Sequence, residues 1–135
     1  MNIEISTDKN RLELPVIMSY LTEQSYWAKG RTKERILKSI EHSFCFGVYV
    51  NDHQVGFARV VTDYAIFAWI MDLFILPEQQ GKGYGKQLMT EIKNHPKLST
   101  VSRWGLNTED AHGLYKKFGF AQIKNPKLHM EQVIK

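Results

Sequence analysis

Three glycines at alternating positions are the residues of this chain whose type and spacing most clearly suggest chemistry. Gly81, Gly83 and Gly85 follow an apolar, strand-like run and precede a helical pattern, with Lys82 and Lys86 beside them. Glycine permits positive φ and lets a ligand come close to the backbone. The unpaired N–H groups at a helix start, aided by the helix dipole, can bind phosphate oxygens. The segment therefore predicts a site for a phosphorylated ligand.

Two familiar phosphate motifs do not match this segment. A P-loop requires Ser or Thr after its Gly-Lys pair, but Lys86 is followed by Gln87. A dinucleotide fingerprint requires the spacing Gly-x-Gly-x-x-Gly after the first strand of a βαβ unit, whereas these glycines alternate and lie mid-chain. A flexible connection between a strand and a helix is the alternative interpretation of the glycines alone.

The elements that must position this turn follow from hydrophobic periodicity. Strands are expected at 2–6, 44–50, 54–61, 67–76, 101–106, 120–123 and 128–134, and helices at 12–21, from 32, from 84 and at 110–118. Asp8 or Asn10 is expected to cap the first helix and Thr32 the second. The run 67–76 is almost wholly apolar, which is typical of a central strand. The pattern predicts an α/β fold with a mixed sheet, helices on both faces and the order β-α-α-β-β-β-α-β-α-β-β.

Composition limits the classes of protein that fit. The chain has 135 residues, of which 43% are hydrophobic and 24% charged, so we expect one domain over 1–135. The net charge is +4, but the basic residues are dispersed, which argues against a nucleic-acid-binding module. No apolar run is long enough to span a membrane, no secretory signal is visible, and Cys45 is the single cysteine. These features favour a cytoplasmic protein without a membrane partner, and no metal site is expected.

Two motifs carry a resemblance to a known family. Residues 80–85 read Gln-Gly-Lys-Gly-Tyr-Gly and match the pattern Gln/Arg-x-x-Gly-x-Gly/Ala after an apolar strand and a proline. Residues 114–120 read Leu-Tyr-Lys-Lys-Phe-Gly-Phe and look like a second signature, Leu-Tyr-x-Lys-x-Gly-Phe. Both motifs, in this order, resemble the GNAT superfamily of acyl-CoA N-acyltransferases, and the predicted order of elements is similar to that family's.

The resemblance implies that acetyl-CoA is the co-substrate and that two central strands splay apart around it. It implies that the pantetheine arm pairs with main-chain groups of Phe74, Ile75 and Leu76. The pyrophosphate would be held by the turn, whose members are Gln80, Gly81, Lys82, Gly83, Tyr84, Gly85 and Lys86. For each lysine, a solvated surface position is an alternative to phosphate contact.

The resemblance also implies catalytic roles. Tyr115 aligns with the tyrosine that protonates the leaving thiolate, and a phenol with a pKa of about 10 can supply that proton. Packing against the core is the alternative for this tyrosine. Many family members carry an asparagine seven residues before it; here Thr108 holds that position and Asn107 precedes it. Either residue is a candidate for contact with the cofactor arm.

Asp72 is the leading candidate for the base that deprotonates the acceptor amine. It is an acid in an otherwise apolar strand, and burial is expected to raise its pKa towards neutrality. The alternative is an aspartate at a strand bulge that bonds nearby backbone. Glu78 and Glu109 are weaker candidates for the base.

The acceptor side is less well defined. The candidates are Tyr26, Trp27, Arg31 and Arg59, since aromatic rings and guanidinium groups can stack on and pair with a small acid or amine. The expected activity is N-acetylation of a primary amine of a small molecule or peptide, by direct attack in a ternary complex. A non-catalytic CoA sensor that acts on a protein partner is the alternative, and a homodimer is compatible with the family resemblance.

Overall fold

The computed structural model describes residues 3–134, which form a five-stranded mixed sheet with strands in the order of the chain. The strands are β1 (Glu4–Ser6), β2 (Phe44–Val50), β3 (His53–Thr62), β4 (Phe67–Ile75) and β5 (Arg103–Gly105). Neighbours from β1 to β4 are antiparallel, and β4 pairs with β5 in parallel. The helices are α1 (Leu14–Ser19), α2 (Lys33–Glu41), α3 (Tyr84–Asn94) and α4 (His112–Lys116). The predicted α/β class and mixed sheet are confirmed.

The hairpin of β2 and β3 forms where the sequence predicts it. Asn51 and Asp52 connect the strands with φ values of 51° and 64°. A two-residue hairpin turn of this type needs positive φ at both positions, and Asn and Asp tolerate it well. The tight turn therefore sets the register of β2 against β3.

Two apolar clusters cover the two faces of the sheet. On one face, Phe46 and Val48 of β2 pack with Leu88 and Ile92 of α3, all four completely buried. On the other face, helices α1 and α2 bury Ile17, Ile36 and Ile40 against Phe57 and Phe74. Burying a large apolar side chain contributes about 1.5–3 kcal/mol. The predicted placement of helices on both faces is confirmed.

The helix boundaries follow local capping. Thr32 caps α2 as predicted, because its hydroxyl accepts the N–H of Arg35 at 3.3 Å. Asp8 instead caps a short 3-10 turn, and α1 begins after Glu13 with Pro15 in its first turn. The helix then continues as one π-type turn, Tyr20–Gln24.

The predicted strands at 120–123 and 128–134 are wrong. Residues 120–134 form no strand; Pro126–Leu128 is a 3-10 turn, and the apolar side chains after it are 77–91% exposed. Alternating apolar residues form a strand only where a neighbouring strand pairs with their backbone N–H and C=O groups. Pro126 has no backbone N–H to donate. The fifth strand is also shorter than predicted, three residues against 101–106. None of the helices within residues 3–134 has the length and apolar character needed to traverse a bilayer.

Candidate functional site

A β-bulge in β4 places Asp72 at the site. Phe57 pairs with Phe74 and Arg59 with Met71, so β4 carries one extra residue opposite this part of β3. Asp72 has a φ of 56°, in the left-handed region that is uncommon for non-glycine residues but that aspartate tolerates better than most. A regular strand would point Asp72 to the same face as Ile70, into the apolar cluster beneath α3. The bulge turns its carboxylate to the opposite face, where Arg59 lies.

The pairing of β4 with β5 leaves a gap beside the second half of β4. Only Phe67–Trp69 pairs with β5, so residues 70–75 have no strand partner on that side. The predicted splaying of the central strands is therefore confirmed. The parallel strand continues on a separate path to α4, and the space between becomes a cleft.

Backbone groups of β4 face this cleft only at alternate residues. The N–H of Leu76 donates to the carbonyl of Val55 at 2.8 Å, so it faces β3. Because backbone groups alternate in direction along a strand, those of Phe74 also face β3, whereas those of Ile75 face the cleft. The Ile75 carbonyl accepts the side-chain amide of Gln80 at 2.9 Å. The expectation that all three residues offer main-chain groups to a ligand is thus corrected to Ile75 alone.

The glycine turn leaves a row of N–H groups without protein partners. Gly81 and Gly83 have φ values of 81° and 82°, and Gly83 is the N-cap of α3. The first bond of the helix runs from the N–H of Gln87 to the carbonyl of Gly83. Within the described chain, no acceptor is recorded for the backbone N–H groups of 81–86. A Cβ at either glycine would meet no atom within 4 Å, so the space above the turn is open.

Asp72 holds three side chains that come from distant parts of the chain. Its Oδ1 accepts the Trp27 indole N–H at 2.8 Å. Its Oδ2 accepts Nη1 of Arg31 at 2.8 Å and Nε of Arg59 at 2.7 Å. The Asp72 side chain is 1% exposed, so the three donors enclose it.

The expected raised pKa of Asp72 is wrong. Burial would raise the pKa, but the charge and hydrogen bond of Arg59, the charge of Arg31 and the N–H of Trp27 outweigh it, so the pKa is lowered. Both carboxylate oxygens are engaged and the carboxylate form is stabilised. This arrangement suits a structural anion better than a proton acceptor.

Tyr115 lies buried at the start of the second motif, and the residue is 8% exposed. Its ring packs edge-on against Phe120 at a centroid distance of 6.1 Å. Burial, with the nearby Tyr26 and Asp110, raises the pKa of Tyr115 to about 12. The phenol is therefore neutral at physiological pH and carries a proton that it can donate.

The loop before α4 is tied to the loop after α1. Tyr26 accepts the backbone N–H of Glu109 at its phenolic oxygen, 2.9 Å away. The hydroxyl of Thr108 accepts the N–H of Ala111 at 3.1 Å and so supports the start of α4. The side chain of Asn107 has no protein partner among residues 3–134. Of the two candidates, Asn107 therefore keeps its polar groups free for a ligand.

One cavity of about 610 Å³ brings most of these residues together. It is lined by fifteen of the residues that the sequence analysis names as site candidates: Tyr26, Trp27, Arg31, Asp72, Phe74, Ile75, Gln80, Gly81, Gly83, Tyr84, Gly85, Asn107, Thr108, Glu109 and Tyr115. Leu76, Arg59, Lys82 and Lys86 do not line it. Lys82 is exposed and donates to the side chain of Gln79 at 3.0 Å.

The cavity wall also includes residues that the sequence analysis does not predict, among them Tyr20 and Asp110. The ring of Tyr20 stacks on that of Phe74, with 4.1 Å between the ring centroids. Asp110 lies near Tyr115, in the loop before α4. Tyr20 belongs to the π-type turn, where the periodicity of an α-helix gives no signal. Within the described residues no group of three or more His, Cys, Asp or Glu side chains is placed to hold a metal ion.

Comparisons with known proteins place these features in a family. Residues 41–122 match the family model of the acetyltransferase (GNAT) domain. A crystal structure of a GNAT family protein from Xanthomonas campestris pv. campestris superposes with a TM-score of 0.96 at 41% identity, over 99% of this chain and 94% of that one. Protein FG08082 of Gibberella zeae, named as a candidate acetyltransferase, is 29% identical over 89% of this chain and 80% of its own length. A GNAT family acetyltransferase from Elizabethkingia anophelis, crystallised with acetyl-CoA, shares the fold at a TM-score of 0.68 and 18% identity, over 99% of this chain and 89% of that one.

Proposed function

The chain belongs to the GNAT acetyltransferase family, and on that premise we propose that it transfers the acetyl group of acetyl-CoA to a primary amine of a small molecule or peptide. One observation carries the proposal. The glycine turn, with unpaired N–H groups at Gly81, Gly83, Tyr84 and Gly85, borders the same cavity as Ile75 and the neutral Tyr115. These are the groups needed to hold a pyrophosphate, to pair with an amide-bearing arm and to protonate a thiolate.

Acetyl-CoA fits the polar groups that the structure leaves free. The glycine turn offers backbone donors to its pyrophosphate, and α3 adds the favourable end of its dipole. The N–H of Ile75 faces the cleft, while its carbonyl accepts the side chain of Gln80, and Asn107 lines the same cavity with a free amide. Lys82 and Lys86 would add positive charge from outside the cavity wall. The acetyl-CoA bound to the Elizabethkingia anophelis relative supports this choice of co-substrate.

The proposed reaction is direct transfer in a ternary complex. The neutral amine attacks the thioester carbonyl, a C–N bond forms, and the C–S bond breaks to release a thiolate. Tyr115 donates its proton to that sulfur, and water returns a proton to the phenolate. The lone Cys45 is 1% exposed and its pKa is raised to about 11 by burial, so it is no acyl-carrying nucleophile.

The structure argues for a change in the proposed role of Asp72. Its two oxygens are occupied by three donors, so we assign it the positioning of Trp27 and Arg31 rather than proton abstraction. Glu109 and Asp110 are the other carboxylates on the cavity wall. Either can accept the amine proton through water.

The test begins with thermal unfolding in the presence and absence of acetyl-CoA. A ligand at 100 times its Kd stabilises the folded state by about 2.7 kcal/mol, which raises Tm. AMP and pantetheine serve as matched controls, since each lacks part of the co-substrate and should give a smaller shift. Release of free CoA is then measured over a panel of amines.

The outcomes separate the candidate functions. A shift with turnover supports the proposal. A shift without turnover of any amine would favour the non-catalytic CoA sensor. The absence of a shift at saturating acetyl-CoA would remove the co-substrate assignment altogether.

A further inference from the structure

The wall of the cavity around Asp72 carries unbalanced charge. One buried carboxylate faces two guanidinium groups, Arg31 and Arg59, so the cluster has a net charge of +1. The side chains of the two arginines are only 18% and 8% exposed, so water screens this charge incompletely. A partly buried excess charge is costly unless an opposite charge pairs with it.

Arg59 has a protein partner at each of its three guanidinium nitrogens. Its Nε bonds Asp72, its Nη1 donates to the Ser43 hydroxyl at 3.1 Å, and its Nη2 contacts the sulfur of Met71 at 3.5 Å. Arg59 lies behind Asp72 and does not line the cavity. The prediction that it contacts substrate is therefore replaced by a supporting role for Asp72.

Arg31 differs from Arg59 both in its position and in the number of its partners. It lines the cavity, and its one recorded side-chain bond joins Nη1 to Asp72. For residues 3–134, no acceptor is recorded for its Nε or Nη2, and no ion pair joins it to Glu109 or Asp110. Asp72 thus fixes the Arg31 guanidinium through Nη1 and leaves the N–H groups of Nε and Nη2 available. A guanidinium held in this way is suited to bidentate pairing with a carboxylate.

The neighbourhood of Arg31 suits the rest of such a ligand. The rings of Tyr20, Tyr26 and Trp27 line the same cavity, and the two from the loop after α1 are 45% and 37% exposed. They offer apolar contact for a side chain. Glu109 and Asp110 lie on the same cavity wall and would favour the ammonium form of an arriving amine. The cavity is therefore lined by a positive group, a set of apolar rings and two negative groups.

We propose, building on the acetyltransferase function proposed above, that the acceptor is an amine that also carries a carboxylate, an amino acid or a close derivative, and that Arg31 binds this carboxylate. A phosphonate can also pair with two guanidinium donors, but it carries up to two negative charges. The net charge of +1 on the Asp72 cluster matches the single negative charge of a carboxylate.

The test compares matched acceptors. Alanine, methionine, phenylalanine and tyrosine are each assayed beside their methyl ester, their decarboxylated amine and their phosphonate analogue, at saturating acetyl-CoA. A charge-assisted pair is worth a factor of roughly 10 to 100 in kcat/KM. We expect at least one free amino acid to exceed its ester and its decarboxylated amine by that factor.

Arg31→Gln should abolish this preference by lowering kcat/KM for the amino acid towards that of the ester. Arg31→Lys keeps the charge beside Asp72 but loses the fork, so it should give an intermediate value. Arg35→Gln is the matched control, because Arg35 is an exposed arginine of α2 outside the cavity. Tm and the acetyl-CoA shift of each variant report whether it is folded.

The results distinguish this inference from the function on which it rests. Turnover of amines with no preference for the carboxylate, or with a preference for the phosphonate, overturns the inference and leaves the acetyltransferase function standing. If no amine is turned over, the proposed function fails, and the inference is judged by binding of the N-acetyl amino acids to the CoA-loaded protein. Binding that weakens in Arg31→Gln supports the carboxylate site, whereas equal or absent binding overturns it.

Discussion

At Asp72 a single carboxylate joins three segments of the chain that are far apart in sequence. Trp27 and Arg31 come from the loop between the first two helices, and Arg59 comes from β3. Because the donors belong to elements that pack on the same face, the carboxylate fixes the loop against the sheet. The position of the aromatic wall of the cavity therefore depends on one acidic group.

Removing the charge of Asp72 should destabilise the fold. Asp72→Asn leaves two buried guanidinium groups without their counter-ion, and breaking a buried pair in this way costs about 3–5 kcal/mol. Urea unfolding at pH 7 measures the loss. Asp52→Asn is the control, since this exposed turn residue has a φ of 64° that Asn also tolerates. A loss below about 1 kcal/mol would contradict the central role of the carboxylate.

The carboxylate of Asp72 should also make the free energy of unfolding depend on pH. The pKa of Asp72 is lowered in the folded protein, so its stabilising contribution is complete above the unfolded pKa of about 4 and is lost as pH falls through the lower folded value. The free energy of unfolding should therefore decline below pH 4 in the wild type. The decline should be shallower in Asp72→Asn.

Tyr115 should affect turnover far more than co-substrate binding. Tyr115→Phe removes the proton donor and should lower kcat about 100-fold, with little change in the acetyl-CoA thermal shift. Tyr64→Phe, an exposed tyrosine outside the cavity, is the control. Because the pKa of Tyr115 is raised to about 12, its deprotonation should not lower kcat at any pH below about 10. An unchanged kcat in Tyr115→Phe would remove it as the acid.

At the scale of elements, the turn before α3 depends on backbone conformation rather than on side chains. Gly83 holds a φ of 82° at the N-cap, and Gly81 a φ of 81° two residues earlier. In this conformation the N–H groups of the first helical turn point to open space. A Cβ is sterically free there, so strain is the only obstacle to substitution.

Gly83→Ala should cost about 1–2 kcal/mol of stability, because alanine disfavours the left-handed region. It should also reduce the thermal shift given by acetyl-CoA, since relaxing φ redirects the N–H groups. Gly113→Ala is the control, a helical glycine that also has open space around it and no positive φ. That variant should be neutral or slightly stabilised. Equal effects of the two substitutions would show that the conformation of Gly83 is unimportant.

The parts of the fold that the sequence predicts are those fixed by near neighbours. The hairpin at Asn51, the cap at Thr32 and the glycine turn each depend on residues within a few positions. The pKa of Asp72 depends on partners 13, 41 and 45 residues away, which no local pattern contains. The π-type turn that carries Tyr20 has no periodicity of its own to detect. The sequence offers the bulge only as an alternative interpretation of Asp72, because one acid in an apolar strand does not determine the strand register.

At the scale of the whole molecule, the segment after α4 is the part least integrated into the structure. Leu128, Met130, Val133 and Ile134 alternate with polar residues in part of this segment, and they are 77–91% exposed. Their alternation suggested a strand, but a strand needs a partner edge as well as a pattern. Nothing in the described part of the chain covers these side chains.

Removal of residues 125–135 should therefore change the free energy of unfolding of an isolated copy by less than about 0.5 kcal/mol. Thermal unfolding at several protein concentrations measures the effect. A full-length variant with Leu128→Ser and Met130→Ser is the control for loss of apolar surface alone. A large fall in Tm that depends on concentration would contradict this prediction and would indicate that the segment packs on a second copy of the chain.

The short pairing of β4 with β5 should allow the region around β5 to open locally. Three residue pairs join β5 to β4, whereas β3 and β4 are paired along most of their length. Such a weakly joined region is expected to open as a unit at a lower free energy than the global one. Native-state amide hydrogen exchange should then be fastest, among paired amides, for residues 103–116. A co-substrate that bridges both sides of the cleft would slow this opening, so the bound molecule would act as a temporary part of the sheet.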